Sequence, residues 1–404
     1  MAHLVLFFVL VFGGQLIGGL STQKLPPPDY GSMITILTVD SGGIKGIIPA
    51  KVLDHLDKAL KAKNPNADIA HYFDVIGGTS TGGLMTAMLA TPSPQNPNRA
   101  AFSPAQIVDF YKQNGPNIFK ASGVFPGPLF DGEPLHNITR ELLRDTRLSQ
   151  TLTNVVIPAV DLKTQKPVIF SNYKLKNVPY FNALMSDICI STSALPVALP
   201  VYYFENDGVE FNMIDGGLAA GDPTQAAVSE VLQHYEYPKI LVLSLGTGIT
   251  KFVDIYDAQI ASNWTDSDWL SKENAELVPY ASAAITEYNL ASLFSDFQPN
   301  SSYLRIQEYN LNPDFSDPSN VTQENMDGLE DTGKQLLQEK VVKRNLDTFD
   351  LEQAVETNAE ALDRLADILY GERQHRLKRK SMEKGGRPFP QTLRVPSEKL
   401  KQVI

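Results

Sequence analysis

Tyr72-Phe73-Asp74-Val75-Ile76-Gly77-Gly78-Thr79-Ser80-Thr81-Gly82-Gly83 is the stretch on which the fold turns. Tyr72–Ile76 is apolar and ends in β-branched residues, as a short buried strand requires, and the apolar run Leu84–Ala90 beyond the glycines reads as a helix. The link between them is glycine-rich, so the chain can turn sharply and neighbouring backbones can come close. The same order occurs just upstream. Met33–Val39 reads as a buried strand and Asp40–Gly46 (DSGGIKG) as the loop. From about Pro49 a helix follows, with Val52, Leu53, Leu56, Ala59 and Leu60 on one face. Two strand–loop–helix units in succession predict a three-layer α/β/α sandwich with a mostly parallel central sheet.

Downstream, Ser103-Pro104 opens a helix that should stop at Asn114-Gly115, and another spans roughly Glu133–Arg144. Val155–Asp161 and Pro167–Phe170 read as neighbouring strands. Val209–Ile214 is a strand that meets Asp215-Gly216-Gly217, and Asp222-Pro223 opens a helix to about Tyr235. Ile240–Leu245 is a further buried strand, ending in Gly246-Thr247-Gly248. Residues 252–330 are polar, acidic and without clear period, a mixture of helix and loop. A last helix is expected over Phe349–Tyr370, burying Leu351, Val355, Leu362, Leu365 and Leu369 and stopping at Gly371.

Composition is that of an ordinary globular chain: 404 residues, 43% hydrophobic and 20% charged. No repeat or long linker divides it, so a single α/β domain is expected over 23–370. The net charge of −11 argues against nucleic acid as the main partner, since phosphate binding needs a basic face. Residues 371–404 carry ten Lys and Arg against three Glu and read as a basic, solvated, flexible tail. At the other end, Leu4–Phe12 is an unbroken apolar run followed by small residues to Ser21, the size of a signal-peptide core; residues 1–22 are read as a leader, although no Lys or Arg precedes the run. Sequons at Asn137, Asn263, Asn300 and Asn320 are candidate glycosylation sites. Together these features predict the secretory pathway, ending in the vacuole or outside the cell. Cys189 is the single cysteine, so no intrachain disulfide can form.

Three polar residues or loops flanked by glycine end predicted strands: Asp40–Gly46, Ser80 and Asp215. In open α/β sheets ligands bind at the carboxyl ends of strands. Gly78-Thr79-Ser80-Thr81-Gly82 has the G-x-S-x-G form of a nucleophile elbow, in which a sharp turn presents the serine oxygen at a helix N-terminus. The plainer reading is a serine that caps the helix. A serine hydroxyl needs a base, and the six histidines (3, 55, 71, 136, 234 and 375) are poorly placed for it; only His234 has the Ser…Asp…His chain order. Asp215, after an apolar strand and before Gly216 and Gly217, is the better candidate, because burial there would raise its pKa. The plainer reading of Asp215 is an Asp-Gly-Gly turn. Ser41, Gly42, Gly43 and Lys45 could supply backbone N–H groups and positive charge to an oxyanion. A nucleotide loop is disfavoured: Ser41 breaks the G-x-G-x-x-G register and there is no G-x-x-x-x-G-K-[ST].

Together, the strings DSGGIKGIIPA (Asp40–Ala50), YFDVIGGTSTGG (Tyr72–Gly83), PVIF (Pro167–Phe170), STSALPVALP (Ser191–Pro200), Asp215-Gly216-Gly217 and LSLGTG (Leu243–Gly248) resemble the patatin-like phospholipases of plants. The resemblance is clear over roughly Ile34–Gly248 and weaker to about Tyr370. It implies a serine-dependent lipid acyl hydrolase with a Ser80–Asp215 dyad and no histidine. The Ser41–Lys45 stretch would hold the oxyanion, with no calcium or cofactor. The substrates it implies are phospholipids, galactolipids and acylglycerols, met in membranes or micelles. Ser41 departs from the family, which usually has glycine there; if that position needs a left-handed backbone, serine strains it and activity should fall. A weakly active or inactive storage or defence protein is the alternative. Gly123–Phe130 (GVFPGPLF) is either an apolar wedge into lipid or a loop packed over the core.

Overall fold

The computed structural model describes residues 31–124, 126–234, 239–250, 257–269, 277–294 and 302–384. Its centre is an eight-stranded sheet. The strands are β1 (Ile34–Val39), β2 (Val75–Gly78), β3 (Asn154–Asp161), β4 (Lys166–Ser171), β5 (Tyr202–Asn206), β6 (Val209–Asp215), β7 (Ile240–Leu245) and β8 (Ser302–Ile306). They lie in the order β5-β6-β3-β2-β1-β7-β8, with β4 also paired to β3. The run β3-β2-β1-β7-β8 is parallel throughout. Period-2 alternation sends successive side chains to opposite layers. Leu37 and Val39 of β1 and Leu241, Leu243 and Leu245 of β7 join the larger core, whereas Ile34, Ile36, Ile240 and Val242 join a second one. Helices α1 (Ile47–Lys63) and α2 (Thr81–Ala90) lie on the first face, and the helix Thr224–His234 on the second. This is the expected three-layer sandwich. α2 is buried at every position, which is why its sequence is apolar all round.

The strand pairing explains how two distant loops meet. β4 runs along one edge of β3 from Val156 to Asp161. The other edge is divided: β2 pairs with Asn154–Val156 and β6, running the opposite way, pairs with Ala159–Asp161. β2 and β6 therefore approach head to head, and their carboxyl ends face each other across Ile157 and Pro158. Proline has no N–H to give to a ladder and suits such a gap. Ser80 follows β2 and Asp215 ends β6, so β3 brings them together.

The carboxyl-terminal third differs from expectation. Residues 252–330 contain strand β8 and the helices Leu277–Ser292 and Gln323–Leu336. Phe349–Tyr370 is not one helix. Leu351–Thr357 is β10, paired antiparallel with β9 (Lys340–Arg344), and the helix starts at Asn358. Leu362, Leu365 and Leu369 are buried, but Leu351 and Val355 are exposed, Val355 at 90%. Nor does the helix stop at Gly371; it continues to Lys384. Arg376 there forks onto Asp74 at 2.7 and 2.8 Å, and Glu372 accepts from the Ser32 hydroxyl at 2.6 Å. That ion pair and hydrogen bond hold the turn Glu372–Arg376 against the domain, so the expected tail loses its first part to the helix; 385–404 lie outside the described residues, as does the expected leader. The helix from Pro104 also overruns Asn114-Gly115, to Ile118.

Candidate active site

Ser80 sits between β2 and α2 with φ 54° and ψ −118°. A left-handed φ is costly for a non-glycine residue and persists only where surrounding structure enforces it. Here close packing does so. A Cβ at Gly78 would fall 2.0 Å from the Gly82 carbonyl oxygen, and one at Gly82 would fall 2.1 Å from that of Val39. Glycine at both positions lets the elbow close against β1. Although Ser80 occupies the N-cap position, its side chain makes no capping hydrogen bond. The helix-capping reading therefore fails, and the hydroxyl instead faces the Asp215 carboxylate closely enough to lower its pKa.

Asp215 is 2% exposed. Its carboxylate accepts from the Gly217 N–H at 2.6 Å, so part of the Asx-turn reading holds, and the other contact is with Ser80. Burial pushes its pKa up to about 6, against the pull of the Gly217 amide and the Ser80 hydroxyl. A carboxylate so raised is a better base for an alcohol than a solvated one.

The end of the helix Met185–Ser193 fixes both partners. The Thr192 hydroxyl accepts from the Ser80 N–H at 3.0 Å and donates to the Pro158 carbonyl, in the β3 gap, at 2.6 Å. The Thr192 carbonyl accepts from the Gly216 N–H at 3.2 Å, and that of Ala194 from the Asp215 N–H at 3.0 Å. Thr192 had no role in the sequence reading; a proline inside the predicted strand Val155–Asp161 was the one available sign of a gap needing a side-chain partner. The Thr79 hydroxyl donates to Ala220 O at 2.7 Å and ties down the segment that follows Asp215.

The first glycine loop arrives beside this pair. The Thr247 hydroxyl, in the loop after β7, donates to Ser41 O at 2.6 Å. The Ile44 N–H donates to Pro318 O at 2.8 Å. Ser41 and Lys45 do not offer free backbone donors: the Ser41 N–H is bonded to Gly221 O at 2.9 Å and the Lys45 N–H to Gly42 O at 3.2 Å. Among the expected backbone donors this leaves Gly42 and Gly43, whose N–H groups have no acceptor among the described residues; Lys45 was expected for its charge, which an engaged N–H does not affect. Lys45 is half-buried at the end of the turn. Ser41 is not among the residues with positive φ, so the anticipated strain is absent; its side chain lies beside Gly217 and Gly221.

Among the described residues no histidine is a partner of Ser80. His55 bonds Asp363 at 2.9 Å, and His136 packs on Tyr202. His234 Nδ1 donates to Glu230 O, 2.8 Å away in its own helix, and the ring stacks on Tyr173. The Gly123–Phe130 loop divides between its two readings. Phe130 packs edge-on against Phe119, whereas Val124 and Leu129 are 63% and 58% exposed; Phe125 lies outside the described residues. Leu129 N–H bonds the carbonyl of Val197, itself 76% exposed and held at φ 73°. Leu195, just past the residue that anchors Asp215, and Leu218, just after it, are exposed too. Of the sequons, Asn137 and Asn263 are exposed, Asn320 is half-buried with its side-chain oxygen bonded to Thr322, and Asn300 lies outside the described residues.

Comparison with known proteins bears on the same region. The family model described as Patatin-like phospholipase matches residues 37–228. The chain is 40% identical over 389 residues to Patatin-like protein 2 of Arabidopsis thaliana, spanning 88% of this chain and 95% of that one. It is 38% identical over 397 residues to Patatin-17 of Solanum cardiophyllum, spanning 93% and 98%. Among solved structures it is similar to VipD from Legionella pneumophila, at 11% identity over 76% of this chain and 67% of that one; the TM-score of 0.31 is too low to carry single residues across.

Proposed function

Since this chain belongs to the patatin-like phospholipase family, we propose that it is a lipid acyl hydrolase working through a Ser80–Asp215 dyad. Ser80 Oγ attacks the ester carbonyl carbon while its proton passes to Asp215. The tetrahedral oxyanion is held by the N–H groups of Gly42 and Gly43. Collapse expels the alcohol, which takes the proton from Asp215 and leaves an acyl-Ser80 ester. Water then repeats the sequence, giving up its proton to Asp215, and releases the fatty acid. The observation that carries this reading is the Ser80 hydroxyl, held on a left-handed backbone, with a buried carboxylate as its partner.

The substrates are membrane or micellar lipids: phospholipids, galactolipids and acylglycerols. Exposed Leu218, three residues after Asp215, and exposed Val197, three residues after the Ala194 that anchors Asp215 and bonded to exposed Leu129, suit contact with an apolar surface. The expected leader suits a secretory route to the vacuole or the exterior. The test is hydrolysis of a p-nitrophenyl ester by purified protein beside Ser80→Ala. The dyad predicts a loss of about 10⁴-fold or more. Wild type no faster than the variant would leave a storage or defence protein.

A further inference from the structure

Behind the two loops lies a buried polar network that neither the motifs nor the dyad accounts for. Strand register places Thr38 of β1, Ser244 of β7 and Arg305 of β8 side by side. Thr224 joins the row from the helix above, 2.7 Å from the Thr38 hydroxyl and 2.9 Å from that of Ser244. At its end Arg305, 6% exposed, donates to Ser244 at 2.8 Å and grips both Asp40 oxygens, at 2.9 and 2.5 Å. Asp222 is its second carboxylate, with Oδ2 3.8 Å away and otherwise unbonded, while Oδ1 is held by Thr224. Glu287 faces Arg305 Nε at 3.4 Å and is fixed in turn by Arg344 at 2.7 Å and by Tyr309 at 3.0 Å.

The position of the two aspartates gives the network its meaning. Asp40 is the residue from which the Gly42-Gly43 loop departs. Asp222 closes the segment that begins at Asp215. Midway, the two segments are stitched together by the Ser41 N–H to Gly221 O bond of 2.9 Å. We propose that Arg305 is a positioning residue for ester cleavage: by fastening Asp40 and Asp222 to one guanidinium, it fixes the oxyanion donors relative to the base. Arginine is required because its planar fork meets both oxygens of Asp40 while a remaining edge faces Glu287. The inference rests on the dyad reading above, since without that chemistry there is no oxyanion to place.

The test uses the full-length protein with Arg305→Lys, which keeps the charge and loses the fork, and Asp222→Asn, which keeps the Thr224 contacts. A misplacement of about 1 Å lowers rates by about 100-fold. Arg305→Lys should accordingly lose roughly 10- to 100-fold in kcat for a short soluble ester, with KM changed by less than about twofold. Affinity for a trifluoromethyl ketone, whose serine adduct carries an oxyanion, should fall by the same factor. Asp222→Asn should move both quantities in the same direction by less, and the double variant should be no worse than Arg305→Lys, as coupled residues behave. If Arg305→Lys does not fold, Asp222→Asn alone decides. Wild-type kcat and ketone affinity in a folded variant would overturn the proposal, as would losses that only track the folded fraction. Failure of the dyad reading looks different: wild type itself would be no faster than Ser80→Ala and would not bind the ketone.

Discussion

Asp40 and Asp215 end neighbouring parts of one sheet, and both are buried carboxylates pushed above their usual range, yet they are built for different work. Asp40 reaches about 7 because of burial, with Asp222 and Glu287 adding to it, and Arg305 pulls against them through two hydrogen bonds. Asp215 reaches about 6 by burial, and what pulls it back down is an amide and a hydroxyl rather than a cation. A carboxylate gripped by a guanidinium has its lone pairs committed and serves as an anchor. One faced by a hydroxyl can exchange a proton with it. The difference lies in the company each carboxylate keeps, since burial is common to both.

The sharpest way to break this comparison is to neutralise each in turn. Asp215→Asn should lower kcat by about 10⁴-fold, as removal of a catalytic carboxylate does elsewhere. Asp40→Asn keeps the shape and loses only the grip, so about 10- to 100-fold is expected, read as kcat on a soluble ester. Equal losses would erase the distinction between base and anchor. The pH profile sharpens it further. Asp215 must be ionised to accept a proton, so kcat/KM should rise about tenfold per pH unit up to about 6 and level off above; a flat profile down to pH 4.5 would rule it out as the base. Stability runs the other way. With the folded-state pKa raised above the ordinary aspartate value of 3.8, Asp215 contributes stability that is present below that pH and lost as pH rises through about 6. Thermal unfolding should therefore favour Asp215→Asn over wild type more at pH 8 than at pH 4. The smallest effect is expected at Ser41. Its backbone is not left-handed and its N–H is already engaged. Ser41→Gly should change kcat by less than about threefold, and a tenfold gain would show that serine does impair the loop.

What could be read from the sequence was what depends on near neighbours. The elbow around Ser80, the strand before it and the Asp215-Gly216-Gly217 turn are each decided within a dozen residues. Arg305 was not legible, because its meaning lies 265 positions away at Asp40, and an arginine in Ser302–Ile306 reads as a strand's exposed face. Thr192 was hidden for the same reason, 112 positions from Ser80. Phe349–Tyr370 misled for a local reason: Leu351 and Val355 fit a helical stripe, but Leu351–Thr357 pairs with β9 instead. Gly371 read as a stop, and the ion pairs of Glu372 and Arg376 outweigh it.

The divided edge of β3 has an evolutionary corollary. Because Gly77 sits opposite Val156 and Asp215 opposite Ala159, the stretch between those two positions acts as a ruler for the catalytic spacing. One inserted residue there would lengthen the ruler by about 3.3 Å and invert the facing of everything beyond it. Lineages that retain turnover should tolerate length variation in the turn between Asp161 and Lys166 and almost none between Val156 and Ala159.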